Sequence, residues 1–238
     1  MGEHGEVSEI YFFGADSTPQ SSTTDAKDNV YAVGGRTFLH LSEKISVGGE
    51  SAFQFGDHIV TAGSAHSRIR AWAGQFISQY RFKNDYDAKI NLSYTYTSGD
   101  NPNSDSYEAW NSMWEDQSPA ELFNLLLNNS GRKVLTVSGT MMPREDLTLG
   151  LIYAKGWLSK RFSGPAILNT MGPIAGRVFY IEDDKRDLGD ELDIYGLYDY
   201  TEDVQLKLSL AWMKPGAVFN ERNNNYVYSV RTGVNIDF

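Results

Sequence analysis

The chain contains no cysteine, which removes disulfide frameworks and thiolate metal sites while permitting an oxidising compartment. It also lacks any apolar run approaching the roughly 20 residues that a membrane-spanning helix needs. Mean hydropathy is −0.41, yet this does not argue for solubility. In a β-barrel only alternate residues meet lipid, so the polar row between them dilutes any window average. Basic clusters are scarce too: 21 Lys and Arg stand against 31 Asp and Glu, a net charge of −10. Phosphate contacts need concentrated cations, so nucleic acid is not an expected partner. The opening MGEHGEVSEI has neither a basic segment nor an apolar core, so an export signal is expected to have been removed or to lie outside this chain, with Met1 artificial. No phosphate-binding glycine loop occurs, and no nucleotide, metal or other cofactor is expected.

What is present is alternation. Near the end of the chain Tyr226, Tyr228, Val230, Thr232, Val234, Ile236 and Phe238 share one side of an extended strand, opposite Ser229, Arg231, Gly233, Asn235 and Asp237. Between 86 and 97 the row Tyr86, Ala88, Ile90, Leu92, Tyr94, Tyr96 alternates with Asp87, Lys89, Asn91, Ser93, Thr95, Thr97. Ten segments carry this period-two pattern, near 6–14, 30–41, 45–56, 69–82, 86–98, 133–142, 147–158, 188–200, 204–213 and 225–238. Lipid outside and water inside account for both rows. The fold expected is all-β, an antiparallel transmembrane β-barrel of about ten strands, forming one domain over 1–238 or the C-terminal portion of a larger barrel.

Connections support the same reading. Ser42–Lys44, Lys83–Asp85, Pro143–Asp146 and Thr201–Asp203 are short, whereas 57–68, 99–132, 159–187 and 214–224 are long. Outer-membrane barrels pair brief periplasmic turns with extended surface loops, so both termini are expected in the periplasm. A turn centred on Glu43 sets Leu39 against Val47 outside and Arg36 against Glu50 inside. One centred on Asn84 sets Phe82 against Tyr86 and Arg81 against Asp87, and one centred on Glu202 sets Tyr198 against Leu206. The surface loop 99–132 holds a helix signal, with Ser118 as cap, Pro119 at the first helical position, Glu121 completing a capping box, and an apolar run from Leu122. Together with Trp110 and Trp114, it reads first as a loop burying its aromatics against the rim, with a plug or gate as the alternative.

GDELDIYGLYDYTEDVQLKLSLAWMKPGAVF at 189–219 and YVYSVRTGVNIDF at 226–238 resemble the closing strands of the alginate export family of outer-membrane porins, and YTYTSGDNPNSD at 94–105 resembles another recurrent segment of it. The likeness spans most of the chain and falls in the family's C-terminal half. It implies a monomeric barrel of roughly eighteen strands, of which about ten are visible here, the others missing or supplied otherwise. It also implies a strongly cationic conduit that passes a polyuronate.

By parity, the inward ionisable residues are Arg36, Glu50, Arg81, Asp87, Lys89, Glu191, Asp193, Asp199, Lys207, Arg231 and Asp237, five cations against six anions. This surface has no cationic excess. Arg36 with Glu50 and Arg81 with Asp87 read as cross-strand ladders, leaving Lys89, Lys207 and Arg231 as the better candidates to guide an anion. The acidic stretches 100–105 and 182–187 lack EF-hand spacing and read as solvated charge, or as ion-bridged contacts with lipopolysaccharide.

The function expected is a bacterial outer-membrane channel for passive diffusion of a hydrophilic saccharide or polysaccharide, an anionic one included. Its partners are membrane lipid, lipopolysaccharide and the solute, with a protein that completes or threads the barrel left open. The alternatives are a structural barrel that sheathes or anchors a partner and, more remotely, a rim hydrolase using Asp57, His58 and His66. No serine nucleophile motif accompanies those three residues, so no catalytic residue is assigned and no enzyme is expected. A soluble β-sandwich or lipocalin-like barrel would need the tyrosine and leucine rows turned inward.

Overall fold

The computed structural model describes residues 7–17, 28–59, 66–101, 103–113, 120–127, 129–161, 166–168 and 178–237. Ten long strands form one antiparallel sheet: β1 (Val7–Ser17), β2 (Asp28–His40), β3 (Ile45–Ile59), β4 (His66–Arg81), β5 (Lys89–Thr97), β7 (Arg132–Arg144), β8 (Leu147–Leu158), β11 (Asp187–Asp199), β12 (Val204–Pro215) and β13 (Val227–Ile236). The loops add the short strands β6 (Ser106–Tyr107), β9 (Ala166–Leu168) and β10 (Val178–Tyr180), and one helix, α1 (Glu121–Leu126). Each long strand pairs with its neighbour in sequence, an up-and-down meander that needs no crossover. Among the described residues nothing pairs with the outer edge of β1 or of β13.

The short turns, 41–44, 82–88, 145–146 and 200–203, all fall at one end of the sheet, where β1 begins and β13 ends. Leu39 pairs with Val47, Arg36 with Glu50 and Tyr198 with Leu206, as the turn centres predict. The 82–88 turn differs. Arg81 lies opposite Lys89 and Tyr80 opposite Ile90, two positions beyond the pairing of Arg81 with Asp87 and Phe82 with Tyr86. The reason is local: the Asn84 side-chain oxygen accepts from the backbone N–H of Tyr86 and of Ala88, both at 3.2 Å, an Asx turn that lengthens the loop. An even shift keeps each residue on its face.

The two faces separate as the alternation requires. Phe53, Trp72, Phe76, Leu92, Leu151, Ile194, Leu208 and Val230 stand exposed on the outer face. Aromatic residues gather toward both ends of that apolar band. Tyr80 packs edge-to-face on Phe82 near the short turns, and Trp72 stacks on Tyr96 at 4.2 Å toward the long loops. Trp72 and Tyr80 lie on one strand, eight residues and roughly 26 Å apart. With a strand tilt of roughly 40° the belts stand about 20 Å apart along the membrane normal, close to the apolar height of an outer-membrane barrel. Leu and Ile columns exposed to this extent would be untenable in water and are ordinary in lipid. The fold is that of an antiparallel transmembrane β-barrel wall.

Candidate functional site

The inner face carries the polar rows, and two insertions from the segment between β5 and β7 lie on it. The first is anchored at Ser98, whose carbonyl accepts from the N–H of Trp110 at 2.9 Å and of Gly131 at 3.0 Å while its hydroxyl donates to the Glu108 carbonyl at 2.7 Å. Gln54, buried on β3, grips the backbone of Asn111 twice: its amide donates to the carbonyl at 2.7 Å and its oxygen accepts the N–H at 2.8 Å. Tyr107, Trp110 and Met113 then cover Val30, Ile69 and Ala71 on the inner face of β2 and β4.

The second insertion is α1, which lies against the inner face, not the rim. Ser118, Pro119 and Trp114 lie outside the described residues. The N-cap is Ala120, which offers no side-chain acceptor, so the orphan N–H groups of the first turn must be met from elsewhere. They are met by the sheet. Asp193 accepts from the Glu121 N–H at 3.0 Å, and Glu191 accepts from the N–H of Leu122 and, at 2.7 Å, of Phe123. At the other end the buried Arg132 guanidinium donates to the carbonyls of Phe123 at 3.0 Å and Leu127 at 3.4 Å. Carboxylates at the positive end and a guanidinium at the negative end complement the helix dipole. Glu121, at the first helical position, accepts from the Ser209 and Ser229 hydroxyls at 2.8 and 2.6 Å and lies 3.5 Å from Arg231. One short helix is thus tied to β7, β11, β12 and β13. Beneath it, Leu122 and Phe123 pack with Val134, Ala154, Leu188, Ala211 and Met213.

The charged residues expected on the inner surface therefore lie in three settings. Glu191 and Asp193 face inward but are 1% and 3% exposed beneath α1, where a passing solute does not reach them. At the short-turn end Asp87 sits 2.5 Å from Arg81 and 2.8 Å from Lys89, so a single carboxylate holds both cations. Arg36 has Glu50 as its cross-strand neighbour and forms its ion pair with Glu9 of β1 at 2.7 Å, while Glu50 accepts from the Tyr11 hydroxyl at 2.5 Å. Lys207 and Arg231 lie exposed on the inner rows of β12 and β13. Lys207 has no ion pair among the described residues. Alternation points to the inner residues of each strand, but it gives no sign that Gln54 and Arg132 serve as anchors for a loop.

Asp57 and His58, adjacent on β3, point to opposite faces, and the His58 ring stacks on Tyr107 at 4.0 Å. The His66 side chain lies outside the described residues. No cluster of three or more His, Asp or Glu side chains placed to hold a metal ion occurs among the described residues.

The family model for alginate export matches residues 3–232. The chain belongs to the alginate export family. No curated protein shows significant similarity to it. Membership makes the barrel wall part of an outer-membrane porin. The alginate export family comprises polysaccharide export channels, which accords with a charged inner face and an apolar outer one.

Proposed function

We propose that this chain walls a passive outer-membrane conduit through which a hydrophilic saccharide moves down its gradient, an anionic chain meeting Lys207 and Arg231. The observation that carries the reading is the division of one sheet into a lipid-compatible outer face and an inner face where cations and carboxylates alternate. With the short turns on the periplasmic side, both ends of the described sheet lie in the periplasm. The long loops then reach the outer leaflet and its lipopolysaccharide. Arg36, Arg81 and Lys89 brace the wall, each within 2.8 Å of a carboxylate, whereas Arg231 stands off at 3.5 Å from Glu121.

Planar-bilayer recording of the full chain tests this. The expected result is an ohmic current with weak ion preference, and a reversal potential in a salt gradient that moves toward cation selectivity in the Lys207→Glu, Arg231→Glu double variant. Inserted protein that carries no current overturns the proposal. The unpaired outer edges of β1 and β13 favour one second reading, in which a partner's strands complete the wall or are sheathed by it. The mass of the detergent-solubilised assembly separates the two, because completion requires a stable complex heavier than one chain.

A further inference from the structure

Between the two aromatic belts the outer face carries no Asp, Glu, Lys or Arg among the described residues. Cations appear on that face just beyond the belt nearest the long loops. Trp72 is half exposed on the outer face, while Ile69 and Ala71 are buried on the inner one, so strand parity turns Arg70 and Arg68 outward with Trp72. Both arginines are exposed. They lie beyond Trp72 on β4, about 5 and 10 Å above it along the membrane normal at the tilt of a barrel strand. The headgroup layer on each side of the hydrocarbon is roughly 5–8 Å thick. These side chains therefore stand at headgroup depth.

Neither arginine has a counter-charge from the protein. Asp57 is the cross-strand neighbour of Arg68, yet no ion pair joins them, and Arg70 lies opposite Phe55. A third cation extends the patch sideways. Trp72 stacks on Tyr96 at 4.2 Å, and Lys133 of β7, opposite Tyr96, holds its ammonium 5.8 Å from that ring's centroid. Farther along the same face the charge is balanced: Lys155 lies 2.7 Å from Asp187 and 2.9 Å from Asp190, and Lys214 is the cross-strand neighbour of Asp190. The uncompensated positive charge is thus concentrated at β4 and β7, with a stacked aromatic pair between.

Cations at headgroup depth on a lipid-facing wall select an anionic lipid. A guanidinium fork matches two phosphate oxygens at once, and an ammonium adds a compact point charge. Arg68 and Arg70 stand roughly 7 Å apart along one strand, and Lys133 lies two strands, about 10 Å, to the side. One small phosphodiester headgroup does not span that patch. A phosphorylated, multiply acylated disaccharide does, with phosphates for the cations and a sugar ring and acyl chains for the Trp72 and Tyr96 faces.

We propose that Arg68, Arg70 and Lys133, with the Trp72 and Tyr96 rings between them, bind the phosphorylated disaccharide headgroup of lipopolysaccharide on the outer wall. That this end of the sheet meets the outer leaflet rests on the conduit reading above. Native mass spectrometry of the detergent-solubilised full chain tests the site, by titration with bisphosphorylated lipid A, with its dephosphorylated form and with phosphatidylglycerol. Heat-modifiable gel mobility checks that each variant keeps a folded barrel. Bisphosphorylated lipid A is expected to bind at least about tenfold more tightly than either other lipid. The Arg68→Gln, Arg70→Gln double variant is expected to weaken that binding about tenfold, and Lys133→Gln alone about threefold. Arg68→Lys with Arg70→Lys, which keeps the charge, should retain most of it, and Arg144→Gln, at the short-turn end, should leave it unchanged. Equal binding of the dephosphorylated lipid or of phosphatidylglycerol, or binding indifferent to both the double glutamine variant and Lys133→Gln, overturns the site. Planar-bilayer current without lipid A binding removes the site and leaves the conduit standing, whereas lipid A binding without current removes the conduit alone.

Discussion

At the residue scale the decisive contacts join the sheet to the first turn of α1. Glu191 satisfies two backbone donors that the helix cannot satisfy itself. Glu191→Ala leaves both N–H groups buried without an acceptor, at a cost of about 1–3 kcal/mol. Hydrogen-exchange protection of the Leu122 and Phe123 amides is expected to fall by roughly tenfold or more. Glu121 adds a pH dependence. Burial pushes its carboxyl upward, but the hydroxyls of Ser229 and Ser209 and the charge of Arg231 outweigh it, holding the group below the usual glutamate range. A value depressed in the folded state contributes stability above the ordinary glutamate pKa and loses it as pH falls through the folded value. Protection factors in α1 should therefore drop on acidification, and Glu121→Gln should flatten that decline. The inward direction of Glu191 is legible from strand parity. Its partner, some seventy residues earlier in a loop without periodicity, is not.

Among the elements, hairpins and helix differ in how much the sequence discloses. The Glu43 and Glu202 turns follow from placing apolar residues opposite one another. The Asn84 turn departs by two because a single side chain adds loop bonds that hydrophobic matching does not register. The apolar run from Leu122 marks a helix, but the acceptors for its first-turn N–H groups come from the sheet, a pairing that the local sequence does not register. Strand packing also rests on missing side chains. A Cβ on Gly150 would lie 2.2 Å from the Tyr195 ring. Gly150→Val should force that ring off the β8 wall at a cost of about 1–3 kcal/mol. The check is a lower temperature for loss of the heat-modifiable gel band.

For the whole molecule, lipid decides which face tolerates charge. Leu208 stands mid-strand on the outer face and is half exposed. Leu208→Lys is expected to cost about 2–4 kcal/mol in denaturant unfolding from liposomes. On the inner face of the same strand, Gln205→Lys should stay within about 0.5 kcal/mol. A water-soluble sandwich would not give this contrast, because its solvated face would accept the lysine at Leu208.

Alternation by itself determined that this chain makes a two-faced antiparallel wall, because lipid and water each select every second residue and leave that period in the order of the side chains. Only the tertiary structure decided that residues 107–113 and α1 pack on the inner face, that Glu191, Asp193 and Arg132 hold the helix, and that Phe13 and Tyr11 line a cavity. Those outcomes depend on hydrogen bonds and burial between residues far apart in the chain, and such pairings leave no period behind.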